Sequence, residues 1–372
     1  MSCQRLSRHG SGPAGRRVLT GAAIAGVLAL ATACGAPLSH VAIDARAVAA
    51  RESVQPAAGE GSLGRLLPKV RLHKARHSAG GGGGATNGFA GSVLFGGDQG
   101  LSRQTSALGR RLAIVRVYYH IGEAFPTYTD GQHMADGSTL MVSLDSDGPS
   151  YSSIAAGRSD AAIRAFLRAV NRAAFQYHLS SIYVSFEHEP GSPLHMGLGS
   201  PAEFARAWDH VHALAEAAQL DWNDGGRLHW VLILMHSTYA AGQGSSYWPG
   251  AGEVDIVAAD GYDSFNCGQR WQKQVPTPAE LFNPLLAFAR ARGDMPVFIA
   301  EWGTDTVTPG GQPQFIREMQ AYVAANTAIV ATMYWDNGGS SCNYRVDGRP
   351  ASLAALAAMG HLSLMQGSAL GA

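Results

Sequence analysis

The chain has 372 residues, 46% of them apolar, and its 28 acidic and 28 basic side chains give a formal net charge of zero. That length suits one large domain with appendages, and the apolar share excludes a wholly disordered or fibrous chain. Charge is unevenly spread: up to Arg76 there are 11 Lys and Arg against 3 Asp and Glu, and from His77 onward 17 against 25, so an acidic body argues against nucleic-acid binding.

The first stretch in chain order reads as an export signal, residues 1–34. Arg16 and Arg17 precede an apolar run from Val18 to Ala31, which is too short for a membrane span. The run closes on Leu30-Ala31-Thr32-Ala33-Cys34-Gly35, which resembles a lipoprotein cleavage box with Cys34 as the acylated residue. Plain secretion and a twin-arginine signal are the alternatives. Localisation is then outside the cytoplasm, with membrane contact only through a lipid on Cys34.

Residues 35–88 form the expected linker, rich in Gly and Ala and ending in Gly80 to Gly84. Within it Arg65 to His77 is basic and reads as solvated chain, with contact to an anionic wall or lipid as the alternative. No strand precedes the glycine run, so it is not a phosphate loop, and no nucleotide-binding motif occurs elsewhere.

From Phe89 the pattern alternates. Strands are predicted at Ser92–Phe95, Leu112–Tyr118, Leu140–Leu144, Ile182–Phe186, Leu228–Met235, Val254–Ala258, Pro296–Ala300 and Ile329–Tyr334. Helices are predicted between them. Arg158 to His178 puts Ile163, Phe166, Leu167, Val170 and Ala174 on one face. Ser200-Pro201-Ala202-Glu203 and Thr277-Pro278-Ala279-Glu280 are capping boxes with proline at the first helical position. Gln312 to Asn326 and Ser352 to Met365 are further helices. Eight strands separated by helices predict an α/β protein with a parallel sheet, and the length favours a single (β/α)₈ barrel over residues 89–366.

Barrel enzymes carry their chemistry at the carboxyl ends of the strands. Strand four ends in Glu187-His188-Glu189-Pro190, strand six in Asp260-Gly261-Tyr262, strand seven in Glu301-Trp302-Gly303 and strand eight in Trp335-Asp336. Two strand-end carboxylates aimed at one point are the apparatus for cleaving a glycosidic bond, and aromatic rings stack on sugars. The candidate catalytic pair is Glu189 and Glu301. Glu187 is a third acid, expected by strand alternation to share a face with Glu189 and to act as its buried partner or as the acid itself. Arg116, inside strand two, reads either as a core arginine paired with Glu187 or as a substrate contact. His236, Trp208 and Trp230 read as core. No histidine or cysteine spacing indicates a metal, and no cofactor is expected. Cys267 and Cys342, left once the leader is set aside, are expected to form a disulfide.

Three segments carry a family resemblance. Tyr247-Trp248-Pro249-Gly250 followed by Val254-Asp255-Ile256-Val257 and Asp260-Gly261-Tyr262, then His188-Glu189, then Pro296 to Gly303, together resemble glycoside hydrolase family 26. The resemblance implies a retaining endo-β-glycanase acting on mannan first, and on β-glucan or β-xylan next. It makes Glu189 the acid/base and Glu301 the nucleophile, with His188, Tyr262, Trp302 and Trp335 binding the polysaccharide. The enzyme is expected to be monomeric. Ser185 stands where the family has arginine, and Pro190-Gly191-Ser192-Pro193 where it has an aromatic-rich segment. These departures motivate the alternative of an inactive carbohydrate-binding lipoprotein on the same barrel.

Overall fold

The structure is a computed structural model that describes residues 91–265, 267, 274–338 and 342–367. The export signal, Cys34, the linker and the basic stretch from Arg65 to His77 lie outside the described residues.

Strands and helices alternate as β1 (Leu94–Gly97), α1 (Leu101–Leu108), β2 (Ile114–His120), α2 (Tyr128–Ala135), β3 (Thr139–Asp145), α3 (Tyr151–Ala155), α4 (Asp160–Gln176) and β4 (Ile182–Phe186). Then come α5 (Pro201–Glu216), β5 (Leu228–Met235), α6 (His236–Ala240), β6 (Ile256–Asp263), α7 (Pro278–Arg290), β7 (Val297–Thr304), α8 (Gln312–Ala325), β8 (Ile329–Tyr334) and α9 (Pro350–Gly360). The eight strands pair in sequence order, all parallel, and β1 closes on β8. The expected (β/α)₈ barrel is the observed fold.

Period-two alternation builds two apolar layers. Ile114, Met141, Tyr183, Ile233, Ala258, Phe298 and Met333 point inward and fill the barrel. Their neighbours, among them Val115, Val142, Val184, Leu232, Val257 and Ile299, point outward and pack beneath the helices. Both capping boxes form: Ser200 Oγ accepts from Glu203 N–H while Ser200 N–H donates to the Glu203 carboxylate, and Thr277 with Glu280 does the same.

Two features of the sheet position the site. On the first, β1 pairs with β2 only through Gly96↔Ile114 and Gly97↔Val115, while it pairs with β8 over its full length. A Cβ on Gly96 would stand 2.2 Å from the Ile114 carbonyl oxygen, so glycine is required for that approach. Past Gly97 the chain follows β8, where Asp98 N–H donates to the Tyr334 carbonyl.

The second concerns β6 and β7, which run further than the apolar runs predicted. Asp260 and Tyr262 lie within β6, and Glu301 and Trp302 within β7, because the two strands go on pairing from Asp260↔Glu301 to Asp263↔Thr304. The register jumps between Ala259↔Ile299 and Asp260↔Glu301. Ala300 is therefore the extra residue of a bulge, which turns the strand's alternation by one position.

Outside the barrel, His212 of α5 is buried at 3% exposure between Glu253 at 2.7 Å and Asp221 at 3.6 Å. Burial works against its charge, but the hydrogen bonds and charges of Asp221 and Glu253 prevail and push its pKa up to about 10. A raised histidine pKa stabilises the fold fully below its unfolded value of 6.5, and that contribution is lost as pH rises toward 10. His212→Gln is expected to lower the unfolding free energy by about 2–3 kcal/mol at pH 6. The difference from the unmodified protein should shrink steadily toward pH 10, as denaturant titrations across that range will show.

Candidate active site

The bulge at Ala300 decides where Glu301 points. Strict alternation from Ile299, which faces the helices, would send residue 301 outward as well. Instead Ala300 packs inside the barrel and Glu301 follows it inward. There Glu301 meets Arg116 of β2, whose Nη1 lies 2.7 Å from Oε1. The Tyr118 hydroxyl is 2.6 Å from the same oxygen, and the Tyr262 hydroxyl donates to Oε2. Arg116 Nη1 also lies 2.9 Å from Asp260 Oδ1. Two of the predicted site residues of β6 and β7, Tyr262 and Glu301, thus converge on one cluster.

Glu189 reaches the same mouth by a different device. β4 ends at Phe186, and Glu187 and Glu189 both adopt left-handed φ, at +51° and +49°. Side chains rarely hold this region without support. The support comes from the neighbouring strands: Glu187 N–H donates to the Leu144 carbonyl and Glu189 N–H to the Ile233 carbonyl, each at 3.0 Å. The turn cancels the alternation expected for the two glutamates. Glu187 is fully buried, accepts from Ser146 N–H and from Tyr151 Oη, and lies 3.7 Å from His195 Nε2. It ties the end of β4 to the chain after β3. Glu189 is partly exposed and feels Asp260, Arg116 and Asp145.

Two expectations are corrected. Arg116 pairs with Asp260 and Glu301, not with Glu187. Glu187 takes no part in the Arg116 cluster. Trp302, expected to bind substrate, is 0% exposed and packs edge-on against Tyr334 in the layer beneath the helices. The same bulge that turns Glu301 inward turns Trp302 outward.

The remaining expected residues gather at the mouth. Trp335 is half-buried with its ring edge-on to Tyr118 at 6.2 Å. His188 is half-buried, its ring 5.3 Å from that of Tyr118, with Nδ1 3.1 Å from Asp145. Tyr262 stacks on Tyr344 at 5.1 Å. His236 opens α6, and burial lowers its pKa. The Cys267–Cys342 disulfide is present and joins the loops after β6 and β8. Asp305 lies beside it, accepting from Asn343 N–H.

Electrostatics divides the two glutamates. Burial pushes Glu189 up to about 8, and Asp260 adds to this. Glu189 thus keeps its proton at neutral pH. Burial and the carboxylates of Asp260, Asp98 and Glu189 push Glu301 upward too, by more than Arg116 pulls it down, so the two glutamates compete for protons and their contacts decide between them. Contact geometry favours charge on Glu301, which has a guanidinium and two tyrosine hydroxyls aimed at it, whereas Glu189 has no such set among the described residues. Each glutamate raises the cost of charging the other, so one proton is shared unequally between them.

Sequence reasoning missed Asp98 and Asp145. Asp98 is buried in contact with Tyr118, and Asp145 holds His188. They follow or end β1 and β3. The rule that barrel strand ends carry the chemistry applied to them as much as to the strands that were read.

No protein-family model matches the sequence, and no curated protein matches it. Solved structures do. A modular endo-β-1,4-mannanase from Cellulomonas fimi is 15% identical over 73% of this chain and 71% of its own, with a TM-score of 0.53. A family 26 β-mannanase from Bacteroides ovatus is 12% identical over 74% and 90%, with a TM-score of 0.56. GH26C of a Muricauda species is 14% identical over 75% and 87%, with a TM-score of 0.52. The likeness to these structures lies in the (β/α)₈ fold.

The cluster predicts its own weak point. Arg116→Met leaves Asp260 and Glu301 buried without their cation, which costs about 3–5 kcal/mol at neutral pH. The loss should be smaller in acid, where Glu301 can take up a proton. Urea titrations of the variant and the unmodified protein at the two pH values will show it.

Proposed function

We propose that this protein is an exported retaining β-glycanase of the family 26 type, acting on β-mannan or, next, on β-glucan or β-xylan. One observation carries the reading. Glu301 is turned into the barrel mouth and held by Arg116, Tyr118 and Tyr262, while Glu189 faces the same charges with its pKa raised to about 8. A carboxylate held by donors beside a carboxylic acid kept neutral is the division of labour a double displacement needs. That solved structures sharing the fold are mannanases supports the choice of sugar.

In the proposed reaction Glu301 attacks the anomeric carbon as Glu189 gives its proton to the departing glycosidic oxygen. Glu189, now ionised, takes a proton from water, which attacks the same carbon and frees Glu301 with net retention. The Tyr262 and Arg116 contacts stabilise Glu301 each time it carries charge. Half-buried Trp335 is the ring that floors the sugar at the point of cleavage, and His188, oriented by Asp145, binds it from the side. Export is proposed from the basic and apolar leader and is supported by the Cys267–Cys342 disulfide, which belongs to an oxidising compartment. Lipidation of Cys34 is proposed with it.

Glu301→Ala should lower hydrolysis by about ten-thousand-fold or more. Added azide should then restore turnover as a glycosyl azide of inverted anomeric configuration, read by NMR. Retained configuration would assign Glu301 to the acid instead. Activity (kcat/KM) should fall above pH 8 as Glu189 loses its proton, and Glu189→Gln should lack that limb in a pH–rate profile. The leaderless protein is to be assayed on mannan, mixed-linkage glucan and xylan side by side. Binding without release of reducing ends on any of them would favour the inactive carbohydrate-binding reading.

A further inference from the structure

The Tyr118 hydroxyl has one proton and two carboxyl neighbours. Its oxygen is in hydrogen-bond contact with Glu301 Oε1 at 2.6 Å and with Asp98 Oδ2 on its other side. A phenol can donate to only one of them. If both acids were ionised, one buried carboxylate would face the phenol oxygen with no hydrogen between, a cost that makes the acid with fewer other donors harder to ionise. While that acid holds its proton, it donates it to the phenol oxygen.

The contacts say which. Glu301 has Arg116 at 2.7 Å and the Tyr262 hydroxyl as further donors. Asp98 is 5% exposed, and its Oδ1 has no hydrogen-bond partner among the described residues. Charge therefore sits on Glu301 and the proton on Asp98. We propose that Asp98 is a positioning residue for the nucleophile: it donates its proton to the Tyr118 oxygen, which commits the Tyr118 proton to Glu301. This inference rests on the role proposed for Glu301, and it adds a residue that neither the family resemblance nor the strand-end reading contained.

The fold gives this relay its own route to solvent. Because β1 leaves β2 after Gly97, a cavity of about 270 Å³ opens beside β2, lined by Asp98, Arg116, Tyr118, Thr129, Asp130 and His133. Asp98 can exchange its proton there without entering the mouth where a polysaccharide would lie. The charged and titratable groups facing it are Arg116 and Tyr118 of β2, Asp260 of β6 and Glu301 of β7, with Tyr119, Asp130 and His133 across this cavity and Arg103, Arg111 and Asp136 around a second cavity that Asp98 also lines. Burial raises the Asp98 pKa to about 6, against the pull of Arg116, Tyr118 and Gln99. Asp98 therefore stays neutral below pH 6 and ionises above it. Once ionised, it competes with Glu301 for the Tyr118 proton.

The test reads the tyrosine directly. In protein labelled with ¹³C at the tyrosine Cζ, with the Tyr118 signal assigned from Tyr118→Phe, that signal should shift with a midpoint near pH 6. It should be flat across the same range in Asp98→Asn, whose amide donates to Tyr118 at every pH. A flat signal in the unmodified protein, or the same midpoint in Asp98→Asn, overturns the proposal. Should Asp98→Asn fail to fold, ¹³Cγ-labelled Asp98 in the unmodified protein decides: a midpoint at or below the ordinary 3.8 overturns the relay. On a polysaccharide that is cleaved, kcat should also fall about tenfold through an inflection near 6, the size of one lost hydrogen bond to a charged group, and Asp98→Asn should lack that inflection. If no polysaccharide is cleaved, the proposed function fails while the tyrosine signal still judges the relay.

Discussion

The site is built on a shortage of positive charge. Asp98, Asp260, Glu189 and Glu301 gather around Arg116, a guanidinium 1% exposed inside the barrel. Removing this many carboxylates from water with one cation among them is too costly unless some hold protons. The packing thus forces unequal protonation, and the hydrogen bonds decide its distribution. Arg116 and two tyrosines draw charge to Glu301, and burial leaves Glu189 and Asp98 neutral into the range near 8 and near 6. The two glutamates are separated by environment, since the residue type is the same.

Backbone irregularities aim these side chains. A regular barrel would direct Glu301 at the helices and leave Glu187 and Glu189 on one face. The extra residue at Ala300 and the left-handed turn at Glu187 and Glu189 undo both outcomes. Each irregularity is held by ordinary sheet hydrogen bonds from its neighbours, including the Leu144 and Ile233 carbonyls. The short pairing of β1 with β2 is a third irregularity, and it places Asp98 against Tyr118 with a side opening. The rest of the sheet is regular and serves as the frame that makes these departures reproducible.

The loops above the frame are fastened independently of the chemistry. The Cys267–Cys342 bridge joins the chain after β6 to the chain after β8, and Asp305 after β7 accepts from Asn343 N–H beside it. Tyr344, carried on the same segment, stacks on Tyr262. One covalent link therefore steadies the ring that contacts Glu301.

Local order was legible in the sequence. Alternating apolar runs fixed eight strands, Ser200-Glu203 and Thr277-Glu280 fixed two helix starts, and the two leftover cysteines fixed a bridge, because period, capping and pairing parity are written in neighbouring residues. Strand-end carboxylates and rings also marked Glu189, Glu301, His188, Tyr262 and Trp335 as neighbours of one mouth. Which side chain faces which was beyond that reach. Trp302 followed Glu301 in the text and parted from it in space, Arg116 chose Asp260 and Glu301 over Glu187, and Asp98 joined the site unannounced. Those outcomes depend on where register jumps and where a strand leaves its partner. Such events are set by the closure of the whole barrel, where a one-residue shift exchanges inside for outside.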